Sequence, residues 1–201
     1  PTFSDIDLDG DQDLFVTVLS GAFGYQLKNN FIYYEKQDDF IYRKSNFIET
    51  LDLLSDINPE FADIDFDGDL DLLVGTDFDP SSFPWHGSIV FFENIGLDEN
   101  QEPIWSLEND NLIEIETNNL CPVLADIDFD EDLDLFVGDF NGEIHFYRNI
   151  GNKFIPDFSF EETLEDIDLS GYSTPDLIDI DNDQDLDLII GDMFGLINFY
   201  E

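Results

Sequence analysis

The chain is nearly devoid of positive charge. Six Lys and Arg stand against 49 Asp and Glu in 201 residues, a formal net charge of −43. That balance excludes a nucleic-acid binder, which needs a basic footprint, and it disfavours docking on anionic lipid. There is one cysteine, Cys121, so no internal disulfide can form; it reads as a packed small apolar group. Only two histidines occur, His86 and His145. No Ser/His/Asp or Cys/His signature and no glycine-rich phosphate loop accompanies them, so catalysis is not expected. No apolar run reaches the roughly 18 residues that span a membrane, and membrane insertion is not expected. No stretch shows helical periodicity. The chain begins at Pro1 and its single methionine is Met193, so the native start, with any signal peptide, is expected to lie upstream.

So much charge of one sign usually means disorder. Here 42% of residues are hydrophobic and 21 are Phe, enough to bury a core. The acidic residues are also periodic. Four nine-residue runs carry Asp at positions 1, 3, 5, 7 and 9: Asp5 to Asp13, Asp63 to Asp71, Asp126 to Asp134 and Asp179 to Asp187. A proline lies four residues upstream of each (Pro1, Pro59, Pro122, Pro175), and an apolar run such as Leu135-Phe136-Val137 follows. In three copies a glycine comes next: Gly75, Gly138 and Gly191. The proline-to-proline pitch is 58, 63 and 53 residues, a period that means a solenoid, a propeller or an array.

The second half of each unit repeats too. It ends on alternating apolar and aromatic residues, Phe31 to Glu35, Ile89 to Glu93, Ile144 to Arg148 and Ile197 to Glu201, followed in two copies by Asn-Ile-Gly at 94–96 and 149–151. A later apolar segment is expected to supply a fourth strand: Phe40-Ile41-Tyr42, Ile104-Trp105 and Phe154-Ile155. Runs of β-branched and aromatic residues bounded by Gly, Asn and Pro are strand signals. The fold class is therefore all-β. Four short antiparallel strands per unit make the blade pattern of a β-propeller, with units over about 1–45, 59–107, 122–158 and 175–201, the last incomplete. Asp166 and Asp168 read as part of a connector.

Five aspartates in nine residues cannot converge unneutralised. Two carboxylates about 4 Å apart repel by roughly 1 kcal/mol in water and about 4 kcal/mol at an effective dielectric near 20. Hard oxygen donors on a flexible loop suit Ca²⁺ better than Mg²⁺ with its stricter octahedron. The spacing follows EF-hand logic, with side chains at 1, 3 and 5, a backbone carbonyl at 7 and a turn at 6. It is not an EF-hand, which needs Glu at position 12, where this chain has Val16, Val74, Val137 and Ile190. Asp at position 9 must close the shell instead.

These motifs resemble the FG-GAP repeats of integrin α chains and the related VCBS repeats of secreted bacterial proteins. The resemblance spans the whole chain as four tandem units. It implies a propeller, usually of seven or so blades, in which the acidic loop joins the first two strands of each blade and binds Ca²⁺. The side-chain ligands it implies are Asp5, Asp7, Asp9 and Asp13; Asp63, Asp65, Asp67 and Asp71; Asp126, Asp128, Asp130 and Asp134; and Asp179, Asp181, Asp183 and Asp187. Asp11, Asp69, Asp132 and Asp185 would offer backbone carbonyls. Position 6 is Gly10 and Gly68 in two copies but Glu131 and Gln184 in the others. A turn with positive φ would strain those two loops by about 1–2 kcal/mol, so weaker binding or an altered turn is expected there.

With the fourth strand of unit four absent, the expectation is a four-blade slice of a larger propeller; a closed four-blade ring is the alternative. The turns on the face opposite the acidic loops are enlarged in units one and two, and Tyr25, Phe83 and Trp85 there are candidate ligand contacts or else blade-edge caps. The function expected is a Ca²⁺-stabilised scaffold, secreted or on a cell surface, that recognises protein or glycan on the face opposite the loops, alongside further blades or domains of the same polypeptide. The alternatives are part of a secreted polysaccharide-degrading enzyme and a purely structural spacer.

Overall fold

The computed structural model of the chain describes residues 1–17, 31–37, 40–44, 57–77, 86–99, 101–165, 167 and 169–201. Among these there is no helix. Four antiparallel meanders follow one another. The first is β1 (Thr2–Ser4), β2 (Asp13–Thr17), β3 (Phe31–Gln37) and β4 (Phe40–Lys44). The second is β5 (Ile57–Ala62), β6 (Asp71–Thr76), β7 (Gly87–Leu97) and β8 (Pro103–Ile115). The third is β9 (Cys121–Ala125), β10 (Asp134–Gly138), β11 (Ile144–Asn149) and β12 (Phe158–Thr163). The fourth has three strands, β13 (Thr174–Ile178), β14 (Asp187–Gly191) and β15 (Ile197–Tyr200). Each acidic run is the loop between the first two strands of its sheet.

One expected strand is displaced. Phe154-Ile155 does not form the fourth strand of the third sheet, which is β12 instead. The segment lies in a turn closed by an Asn152–Ile155 bridge. Asn149 explains the displacement: its side-chain oxygen accepts the N–H groups of Gly151 and Asp157, at 3.0 and 2.9 Å, and holds that turn shut. The fourth strand of the second sheet runs on to Ile115.

The hydrophobic core lies between sheets. Phe15, Phe31 and Tyr33 of the first pack on Ile57, Leu72, Val74 and Phe92 of the second. Leu73 and Ile89 of the second pack on Leu120, Leu135 and Val137 of the third. Phe136, Ile144 and Phe146 of the third pack on Leu188 and Ile190 of the fourth. The strand after each acidic loop is thus covered on both faces wherever it has two neighbours, which is why it reads as an unbroken apolar run rather than an alternating one.

The recurrent glycine and proline meet across the sheets. A Cβ on Gly75 would lie 2.1 Å from the Leu120 carbonyl oxygen and 2.7 Å from Pro122 Cδ. A Cβ on Gly138 would lie 2.2 Å from the Ser173 carbonyl oxygen and 2.6 Å from Pro175 Cδ. Each glycine therefore marks close approach of the next sheet's first strand. Hydrogen bonds tie the same seam: Asp139 N–H to Ser173 Oγ at 2.7 Å, Ser173 N–H to the Asp139 carbonyl at 2.9 Å, and Leu120 N–H to the Thr76 carbonyl at 3.1 Å.

Candidate metal centres at the hairpin loops

The four loops share one construction. The position-1 carboxylate accepts the N–H of position 6: Gly10 to Asp5 at 3.0 Å, and Gly68 to Asp63, Glu131 to Asp126 and Gln184 to Asp179 at 3.1 Å. The position-5 carboxylate accepts the N–H of position 7, at 2.9 to 3.2 Å in the four copies. Such side-chain to backbone bonds coil the loop inward and bring three of its odd-numbered carboxylates together. Two residues per loop are left-handed. Position 6 has φ of 95° and 101° at Gly10 and Gly68, and 74° and 83° at Glu131 and Gln184. The two non-glycine loops therefore keep the turn and carry its strain. Position 4 is left-handed as well, at Leu8, Phe66, Phe129 and Asn182, with φ between 58° and 63°. Leucine and phenylalanine do not announce such a backbone, and the EF-hand pattern calls for a special residue only at position 6.

Position 9 differs from the rest. Asp13, Asp71, Asp134 and Asp187 are buried at the start of their strands. Each of the first three accepts a backbone N–H from the third strand of its sheet: Lys36 at 2.8 Å, Asn94 at 2.9 Å and Asn149 at 2.8 Å. Asp71 and Asp187 also accept the N–H of position 2, Ile64 at 3.0 Å and Ile180 at 2.9 Å. The recurrent Asn of Asn-Ile-Gly is thus the residue that meets the loop from behind. That repeat was visible in the sequence, but its role was not.

Carboxylate oxygens lie within 4.8 Å of one another in each loop: Asp5, Asp7 and Asp9; Asp63, Asp65 and Asp71; Asp126, Asp128 and Asp130; Asp179, Asp181 and Asp187. Positions 1 and 3 meet in all four, joined by position 5 in loops one and three and by position 9 in loops two and four. Burial, reinforced by neighbouring carboxylates, raises the pKa of Asp7, Asp65 and Asp69, and takes that of Asp13 and Asp132 to about 6 and of Asp71 to about 7. Three carboxylate oxygens, Asp5 Oδ1, Asp11 Oδ1 and Asp134 Oδ2, are buried without a hydrogen-bond partner. Basic residues touch the loops from the rim: Lys36 lies 3.4 Å from Asp11, Lys153 2.7 Å from Glu131, and Arg148 pairs with Asp128 and, at 2.6 Å, with Glu161.

A further set, Asp139, Glu143 and His145, gathers at the opposite end of the third sheet. Its polar atoms are mutually satisfied. Asp139 accepts the Glu143 N–H at 2.9 Å and lies 3.4 Å from His145 Nε2, and His145 Nδ1 lies 3.0 Å from Thr163 Oγ1. The set pins the tight β10–β11 turn to Ser173 of the next sheet. Tyr25, Phe83 and Trp85, with Asp166 and Asp168, lie outside the described residues.

Away from the loops, Glu60 accepts the Leu124 N–H of the neighbouring sheet at 3.5 Å, and burial raises its carboxyl to about 7, with Asp176 adding repulsion. The same pocket pushes the Cys121 thiol up to about 12, through burial and then Glu60 and Asp176. A carboxyl whose folded-state pKa is raised contributes stability that is fully present below its ordinary pKa of 4.5 and lost as pH rises through about 7. Glu60→Gln keeps the acceptor and removes the charge. Its melting temperature should exceed that of the native chain at pH 8, by the equivalent of roughly 2–3 kcal/mol, and the gap should close near pH 4.5. Parallel melting curves across that range would show Glu60 to be innocent.

Residues 126–190 match the family model of an FG-GAP-like repeat. The match opens on the third acidic loop and closes in β14, so it takes in two of the four loops and the seam between their sheets. The match agrees with the resemblance that the motifs carry in this stretch. No curated protein and no solved structure matches the chain.

Proposed function

We propose that the chain forms consecutive blades of a β-propeller whose acidic hairpin loops hold Ca²⁺, and that it serves outside the cell as a non-catalytic scaffold for recognising protein or carbohydrate. The observation that carries this reading is the recurrence, in four loops, of three converging carboxylates, with buried carboxylate oxygens in loops one and three that find no partner within the protein. A buried carboxylate oxygen without a partner is costly, and a hard divalent cation is the group that best neutralises three or four such oxygens on a coiled loop. Positions 1, 3, 5 and 9 would hold it, with the carbonyl of position 7. Bound there, the ion would supply charge neutralisation and tie the start of the loop to the start of the second strand. The four meanders packed face on face support the propeller. Extracellular modules of this ligand type bind Ca²⁺ at about 0.1–1 mM, which suits a setting rich in that ion.

Titration calorimetry tests the reading. The native chain should take up four Ca²⁺, and Asp67→Ala and Asp9→Ala should each take up one fewer. Gln184→Gly removes a left-handed glutamine at φ 83° and should tighten the loop-four site several-fold. A chain that shows no Ca²⁺ heat at millimolar concentration would leave the loops as solvated turns.

A further inference from the structure

The loop end of the molecule presents apolar side chains to water. Leu8, Phe66 and Phe129, at position 4 of the first three loops, are 52%, 56% and 65% exposed. All three hold a left-handed backbone, which bulky residues adopt only under strain. Loop four has Asn182 at the same place and with the same φ sign, and asparagine takes that conformation readily. Three loops thus hold a large apolar residue outward on a backbone that asparagine adopts with less strain. Strain kept at an exposed position points to use by something outside the fold. Ile95 near the end of β7, and Ile150 and Phe154 in the turn after β11, are each more than half exposed as well.

The surface also shows which charge it accepts. Lys153 Nζ sits 4.4 Å from the centre of the Phe66 ring and 5.6 Å from that of Phe154, and its ammonium pairs with Glu131 at 2.7 Å. The two rings meet edge to face at 6.2 Å. This is an ammonium on aromatic faces with a carboxylate behind it, a favourable seat for a cation. Lys36 and Arg148 likewise touch loops one and three, and six Lys and Arg cannot neutralise the 20 aspartates of the four loops.

We propose that this end, and the second and third loops above all, docks a protein segment in which Lys or Arg alternates with apolar side chains. The inference goes beyond metal binding, because a dication in each loop leaves five aspartates per loop only partly neutralised and the position-4 side chains still exposed. It also places an interaction surface on the metal face rather than on the opposite one.

The test measures binding of a fluorescent peptide of alternating lysine and leucine to the full chain in Ca²⁺ at physiological salt, against oligolysine of equal charge. The Lys-Leu peptide should bind more tightly. In the triple variant Leu8→Asn, Phe66→Asn, Phe129→Asn its affinity should fall by roughly tenfold or more, while the melting temperature holds or rises and oligolysine binding is unchanged. Lys153→Ala, which vacates the ring faces, should tighten the peptide. Equal binding of the two peptides, undiminished affinity in the triple variant, a lowered melting temperature there, or no gain in Lys153→Ala would each overturn the proposal. Repeating the titration with chelator separates the two readings: tight Lys-Leu binding that persists in a chain without Ca²⁺ heat sinks the metal and keeps the docking surface.

Discussion

Replacing Gly138 with valine should lower the stability of the chain by about 3–4 kcal/mol. The Cβ of any side chain there would stand 2.2 Å from the Ser173 carbonyl oxygen and 2.6 Å from Pro175 Cδ. Neither neighbour can swing aside, since one is backbone and the other a ring fused to it. The third and fourth sheets must separate. Overfilling a packed seam costs about 1–3 kcal/mol, and the paired bonds between Asp139 and Ser173 add about 1 kcal/mol each as they stretch. For a domain of this size that is a fall in melting temperature on the order of 10 °C. Gly191 is the internal control. It occupies the same strand position, but a Cβ there meets only Thr174 Oγ1, at 2.7 Å, the end of a side chain that can rotate. Gly191→Val in the 201-residue chain should cost under about 1 kcal/mol. Equal losses in the two variants, read by thermal or urea unfolding, would show that the seam is not what these glycines serve.

Calcium should move the melting temperature as far in the other direction. A ligand present at a few times its dissociation constant stabilises by about 1 kcal/mol per site, so four loops acting independently reach about 4 kcal/mol, again on the order of 10 °C. Chelator should reverse the shift, and Mg²⁺ should reproduce little of it, because Mg²⁺ gives up its waters reluctantly and demands a stricter geometry. Asp71 shows why the loop and the fold are coupled. It is buried, it accepts the N–H groups of Asn94 and Ile64, and it belongs to the carboxylate cluster of loop two. An ion held there would anchor the loop to β6 and β7 together. A melting temperature indifferent to Ca²⁺ and to chelator would separate the acidic loops from stability.

Much of this was legible in the chain itself. The spacing of aspartates placed four loops between the first and second strands of four sheets, and the apolar runs after them marked the second strands. Position 6 was recognisable as a left-handed turn because glycine stands there twice, and Glu131 and Gln184 do adopt positive φ. The third sheet's last strand was misplaced, since Phe154-Ile155 has strand-like side chains but sits in a turn that the Asn149 side chain closes through the N–H groups of Gly151 and Asp157. Position 4 escaped notice because phenylalanine and leucine carry no sign of a left-handed backbone.

The recurrence of an acidic run followed by an apolar one determined by itself that the chain would be a repeated β-hairpin with acidic tips, because the charged run must turn to solvent or an ion while the apolar run behind it must leave water. Contacts between units were settled only in three dimensions. The recurrent proline and glycine look like two separate turn markers in one dimension, yet they are the two halves of one close contact between neighbouring sheets, and no local pattern encodes a meeting of residues 37 or more positions apart. Which carboxylates converge, and which apolar side chains stay in water, likewise followed from how the sheets stack, since burial is a property of neighbours and not of sequence position.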